Sequence, residues 1–207
     1  MSLSFSTKDI LFLQRILAVS GFYDGPLNGK WNNDIDRAEA RFDERCNRIK
    51  ATEGAVDPRS EKSIMTMIPK TQILARRFLK TAAGFKYNCK IISGTRTYAE
   101  QNALYAIGRT ISGRKVTNAR GGQSNHNFCI AWDVGLFHKA TGKYLTGASA
   151  AESKAYRELA ERVKSQVGGL EWGGDWRSFK DQPHYQVATG KSLSQVRALF
   201  EKGKPFI

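Results

Sequence analysis

The chemistry available to this chain is concentrated in few residues. It has three histidines, His126, His138 and His184, and the stretch 71–207 holds three aspartates, Asp133, Asp175 and Asp181. Two pairs are close in sequence: His126 with Asp133, and Asp181 with His184. Two imidazoles and one carboxylate suit a zinc ion and leave a fourth position for water. Such a ligand set keeps a net charge of about +1, which favours ionisation of that water. A further carboxylate beside it can take the proton and later deliver it to a leaving amine. His138, between Phe137 and Lys139, reads as an ordinary residue at a strand end.

The elements around these residues set how they are presented. Residues 130–137 read as a strand in which Ile130, Trp132, Val134 and Leu136 share an apolar face. Asp133 then stands on the opposite face between Ala131 and Gly135, with room beside it. His126 lies in the preceding loop, where Ser124, Asn125 and Asn127 tolerate turn geometry. Pro183 rules against a helix across 181–184 and biases Gln182 to extended geometry. In a strand over 184–187, Tyr185 and Val187 face one way, His184 and Gln186 the other. His184 shares the open face with Asp133 if the two strands are neighbours, and Asp181 precedes it on a turn. Glu171 and Asp175 are alternative bases, more simply read as turn residues beside Trp172 and Trp176, whose bulk would wall a site. Arg96 lies in a turn between a short strand, 90–93, and a helix opened by the capping box Thr97-x-x-Glu100. Its guanidinium suits a developing oxyanion, though taken alone it reads more simply as a surface cation in a basic segment. Ser124 reads either as support for a ligand or as a plain turn serine.

Further elements complete the frame. Helices are expected over about 71–83, 149–167 and 192–201, with a long loop over 109–125. Strands and helices alternate irregularly, which predicts an α+β fold with a small antiparallel sheet and flanking helices. The N-terminal segment reads as three helices: one from Ser6 or Thr7 to about 20, one over 33–49, and a short one opened by Asp57-Pro58, with Pro69 marking its end. The expected division is a helical domain over 1–68 and a second domain over 69–207.

Composition bounds the class. The chain has 207 residues, 41% hydrophobic and 25% charged, enough to bury roughly 70% of its unfolded surface without disulfides. No apolar run approaches the ~18 residues of a membrane span. Lys8, Asp9 and Arg15 interrupt the N-terminal apolar stretch, so no secretory signal is expected. Cys46, Cys89 and Cys129 are odd in number and widely spaced, which points to synthesis in a reducing compartment. The net charge is +14. Residues 71–207 hold 22 Lys and Arg against 9 Asp and Glu, so an anionic partner is expected there. Without zinc-finger cysteines or a stacking sheet of aromatics, nucleic acid is not the expected partner. The chain is read as a monomer.

Two resemblances sharpen the reading. Leu13-Gln14, Gly21-Phe22-Tyr23-Asp24-Gly25-Pro26, Gly29, Ala38, Phe42 and Gly54-Ala55-Val56-Asp57-Pro58-Arg59-Ser60 resemble the peptidoglycan-binding domain 1 family over about residues 5–68. Phe42 is followed by Asp43, where that family often has an aromatic-Gln pair after its second helix. Ser93-Gly94-Thr95-Arg96-Thr97, Gln101, Ser124-x-His126-x-x-Cys129-x-Ala131-x-Asp133, Trp172-Gly173-Gly174-x-Trp176 and Asp181-x-Pro183-His184 resemble the VanY-type zinc peptidases over about 69–190. Among these the chain is most similar to the L-alanyl-D-glutamate endopeptidases of bacteriophage lysis systems.

The second resemblance implies that His126, Asp133 and His184 bind zinc, that Asp181 is the catalytic base, and that Arg96 stabilises the substrate carbonyl oxygen. Gln101, Ser124, Trp172 and Trp176 are expected to bind substrate or support these groups. The implied function is a modular peptidoglycan hydrolase of a phage. It would be made in the host cytoplasm and act on the wall after the membrane is breached. A D-alanyl-D-alanine carboxypeptidase, or a non-catalytic wall-binding protein with a structural zinc, are the alternatives. Cys129 stands where the family commonly has Gly. If the backbone there needs positive φ, a cysteine costs about 1 kcal/mol.

Overall fold

The structure, a computed structural model, describes residues 6–207. The first five residues of the expected helical domain lie outside the described residues. In chain order the helices are α1 (Thr7–Val19), α2 (Asn33–Glu53), α3 (Pro58–Ile64), α4 (Pro69–Ala82), α5 (Tyr98–Ala106), α6 (Ala150–Lys164) and α7 (Leu193–Glu201). The strands are β1 (Asn88–Ser93), β2 (Ala131–Phe137), β3 (Tyr144–Leu145), β4 (Leu170–Trp172) and β5 (His184–Val187). Short 3₁₀ turns span Asn125–Phe128 and Gly173–Asp175. This is an α+β fold. No helix among the described residues is long and apolar enough to cross a membrane.

The chain forms two compact units, each discontinuous in sequence. One joins the residues up to 47 with 96–129 and 190–207, the other joins 48–95 with 130–189. The expected boundary at residue 68 falls inside the second unit, between α3 and α4.

In the first unit, Ser6 caps α1 through a reciprocal pair with Asp9, as the S-x-x-D spacing permits. Leu17, Tyr23, Ile35 and Ala38 bury a small core, flanked by Leu13, Phe22 and Phe42. Gln14 is fully buried. Its carbonyl accepts from the backbone N–H groups of Asn28 and Gly29 at 3.0 and 2.9 Å, and its amide donates to Lys30 O at 3.0 Å. One side chain thus fixes the loop that joins α1 to α2. A second cluster gathers the rings of Phe12, Tyr98, Phe128 and Phe200, with Phe128 and Phe200 centroids 5.4 Å apart.

In the second unit the sheet has the order β1-β2-β5-β4, with β3 also pairing with β2, all antiparallel. Asp133 on β2 lies opposite both Ser93 of β1 and His184 of β5. Behind the sheet, Trp132, Val134, Leu136 and Tyr185 join Phe78 of α4 and Tyr156 and Leu159 of α6 in one core. The period-two expectation for β2 holds: Trp132, Val134 and Leu136 are fully buried, and Asp133 is not. β3 and β4 were not expected. Both are too short to show a period, and the glycines around 170–172 read as loop. Pro69 does not end α3's region but opens α4, where a missing N–H leaves no bond unmade.

Helix α3 belongs to this unit by specific bonds. The Ser60 hydroxyl accepts from Ile91 N of β1 at 2.9 Å, and Gly94 lies against Ser63, where a Cβ would come within 2.5 Å of the Ser63 carbonyl oxygen. Arg76 of α4, with a fully buried side chain, pairs with Glu61 of α3 through both guanidinium ends, at 3.0 and 2.5 Å. The Arg76 hydrogen bond holds the Glu61 carboxyl below its ordinary value of 4.5, against the opposing effect of burial. Removing one partner of a buried pair strands the other charge. Glu61→Ala is therefore expected to lower the unfolding free energy by about 3–5 kcal/mol, measured by urea denaturation. The wild-type contribution is complete above the ordinary value and is lost as pH falls through the lowered one. Acid titration of the variant should therefore show a shallower loss.

Candidate metal centre

His126, Asp133 and His184 each offer a ligand atom, and those atoms all lie within 4.8 Å of one another. His126 and His184 are almost wholly buried, Asp133 partly so. Each is held by backbone its own segment dictates.

His126 sits in the 3₁₀ turn Asn125–Phe128. Ser124 caps the turn, its hydroxyl accepting from His126 N at 3.4 Å. Cys129 closes it with φ 62° and ψ 25°, the one non-glycine residue at positive φ among the described residues. The left-handed geometry expected for a glycine is therefore real, and a fully buried cysteine occupies it. Asn127, also fully buried, ties the turn down: its amide donates to Arg96 O at 2.9 Å and its carbonyl accepts from Gly122 N at 2.9 Å. From the sequence alone Asn127 reads only as a turn former.

Arg96 lies against the same turn. Its backbone N–H donates to His126 O at 3.1 Å, and its Nη2 stands 3.2 Å from His126 Nε2. A guanidinium has only donors, so His126 presents a lone pair at Nε2 and carries its proton at Nδ1. Gln101 is fully buried and accepts from Arg96 Nη1 at 3.1 Å, while its amide donates to Ala119 O at 2.9 Å. Gln101 is thus a prop for Arg96, out of reach of any substrate.

Asp133 and His184 meet through strand register. His184 Nδ1 lies 3.3 Å from Asp133 Oδ1, and His184 Nε2 lies 3.0 Å from Gln186 Oε1. Ala131 and Gly135 flank Asp133 as expected, but the room expected beside Gly135 is taken. A Cβ there would come within 3.0–3.1 Å of Phe137, Ile92 and Tyr144. Burial opposes charge on His184, yet the hydrogen bond and the charge of Asp133, with Gln186 and Asp181 adding to them, push its pKa up overall.

The segment before β5 is built around Gly173. Asp181 N donates to Gly173 O at 3.0 Å, and His184 N donates to Asp181 O at 3.2 Å. A Cβ at Gly173 would lie 2.5 Å from Asp181 O and 3.0 Å from His184 Cβ. Trp172 is a core residue whose indole donates to Gln182 O at 2.8 Å, so it buttresses this turn from behind. Trp176 lies beside His184, their ring centroids 4.9 Å apart. Asp175 is exposed and pairs with Lys164. Glu171 is not on a turn but on β4, opposite Gln186. His138 is exposed and stacks edge-on with Tyr87.

Two imidazoles and a carboxylate form a donor set suited to a divalent metal. A family model described as D-alanyl-D-alanine carboxypeptidase, of peptidase family M15, matches residues 117–187, a stretch that contains all three donors. Residues 117–187 are thus similar to the peptidases of that family. The matched stretch includes Asp181 but not Arg96 or Gln101. The peptidoglycan L-alanyl-D-glutamate endopeptidase CwlK of Bacillus subtilis (strain 168) is 41% identical over 115 residues, 53% of this chain and 66% of that relative. The chain thus spans just under two thirds of that relative's length. The crystal structure of the L-Ala D-Glu endopeptidase ChiX of Serratia marcescens is 24% identical with a TM-score of 0.46, covering 66% of this chain and 92% of that one.

A metal entering this centre competes with a proton for His184, whose pKa is raised. Metal affinity should therefore fall as pH drops through that pKa, with proton release on binding in that range. Calorimetry in two buffers of different ionisation enthalpy measures the release. Asp133→Ala, which removes the carboxylate ligand, should abolish metal retention on dialysis.

Proposed function

We propose that this protein is a peptidoglycan peptidase that hydrolyses the amide between L-alanine and D-glutamate of the stem peptide, with zinc held by His126, Asp133 and His184. The donor cluster inside the matched peptidase stretch carries this reading, and the identity with CwlK favours the choice of bond. Zinc supplies a Lewis acid that polarises the scissile carbonyl and favours ionised water. Asp181, three residues before His184 on the turn held by Gly173, takes the proton of the attacking water and delivers it to the leaving amine nitrogen. Arg96, propped by Gln101, binds the carbonyl oxygen as negative charge develops there. Its guanidinium is permanently charged, so it does this without a proton transfer. Trp176 shields the reacting groups from bulk water on one side.

The reading extends to the rest of the chain. The N-terminal helices serve as a wall-binding part, the loop after α1 bordering a cleft of about 350 Å³ lined by Phe22, Tyr23, Asp24 and Arg37 among others. The protein acts as a monomer in a bacteriophage lysis system, made in the host cytoplasm. A charge of +14 suits an anionic wall or outer-membrane surface. One rival keeps a specific observation in its favour. The matching family is described as a D-alanyl-D-alanine carboxypeptidase, and Arg96 would pair equally well with a terminal carboxylate.

Mass spectrometry of sacculi digested with and without a chelator tests the proposal. The expected product is a new amino terminus on D-glutamate, absent with chelator. Release of terminal D-alanine alone would establish the carboxypeptidase, and no product with zinc present would favour a binding protein. Asp181→Ala should keep its zinc and lose turnover by about 10²- to 10⁴-fold; loss of zinc as well would make Asp181 a ligand.

A further inference from the structure

The residues beyond His184 form a chain whose direction is fixed by chemistry. Glu171 of β4 and Gln186 of β5 are cross-strand partners. Gln186 Nε2 lies 2.7 Å from Glu171 Oε2, and Gln186 Oε1 lies 3.0 Å from His184 Nε2. An ionised carboxylate only accepts hydrogen bonds, so Gln186 must turn its NH₂ to Glu171 and its carbonyl to His184. A carbonyl accepts as well, so His184 must carry a proton at Nε2. The remaining nitrogen, Nδ1, is the one that faces Asp133. Gln186 is buried, and nothing in the proposed reaction uses it or Glu171.

We propose that Glu171 and Gln186 are positioning residues that set the tautomer of His184, committing its Nδ1 lone pair to the metal. The inference rests on the metal-centre reading above. Histidine ligands commonly donate their second ring N–H to an acceptor that orients the ring and raises its basicity. Here the acceptor is an amide, and an amide can flip. A flipped Gln186 would point its NH₂ at Nε2, favour a lone pair there and place the ring proton at Nδ1, where the metal belongs. Glu171 prevents the flip. It contributes by fixing the orientation of a neutral neighbour, without touching the ligand.

The test compares Gln186→Leu, Glu171→Leu and Glu171→Gln with the wild type. Zinc affinity is measured by competition with a chromophoric chelator, and the His184 Nε2–H is followed by ¹⁵N-edited NMR in metal-free and zinc-loaded protein. Gln186→Leu and Glu171→Leu should each weaken zinc binding by about 10- to 100-fold and speed exchange of that ring proton. Glu171→Gln keeps the shape but can offer Gln186 its NH₂ as well as its carbonyl, so it should no longer enforce the orientation and should fall between wild type and Glu171→Leu in both properties. A side chain that merely fills space would change urea stability in the Leu variants and leave ring-proton exchange unchanged. Unchanged affinity and exchange in Gln186→Leu and Glu171→Leu would overturn the inference. If wild-type protein fails to bind zinc, the metal-centre reading falls, while ring-proton exchange in the metal-free variants still decides whether the relay exists.

Discussion

Asp133 Oδ1 and His184 Nδ1 stand 3.3 Å apart on neighbouring strands. Without a positive species between them, two lone pairs would face each other. A proton can fill the gap, as the raised His184 pKa indicates, and so can a metal ion. The rest of the second unit serves to keep this confrontation in place. β2 and β5 are locked in register by Trp132, Val134, Leu136 and Tyr185, which face the core. A slip of one residue would carry those side chains out of the core and Asp133 into it. The apolar face therefore determines the polar one.

Much of this was legible in the sequence, for reasons that can be named. Alternation in 130–137 shows which face carries Asp133, because a strand has a period of two and the four large apolar residues fill one phase. Pro183 excludes a helix, and 184–187 then follows as β5 with its observed bounds. The capping residues Ser6 and Thr97, each followed by a carboxylate three positions on, mark the starts of α1 and α5.

What stayed hidden depends on pairing across the sheet or on burial. Glu171 lies fifteen residues before Gln186, and only the β4–β5 register makes them partners. The resemblance gives Gln101 a role at the site, but only its complete burial and its bond to Arg96 show what it holds. The role of α3 was hidden in the same way. Its sequence suits a helical module, yet Ser60 and Glu61 bond to β1 and α4. A helix's own sequence encodes its apolar face and its caps, but not which neighbour will claim them.

Cys129 gives the turn that carries His126 an intrinsic reporter. Its thiol is sealed at 0% exposure in a left-handed geometry that disfavours any side chain. Cys46 and Cys89, by contrast, lie within regular elements, α2 and β1. A disulfide reagent can reach Cys129 only when the turn lifts away from Arg96 and Gly122. Its trapping rate under native conditions thus counts the local openings of a ligand-bearing segment. A bound ion that staples His126 would register as slower thiol exchange at a residue it never touches.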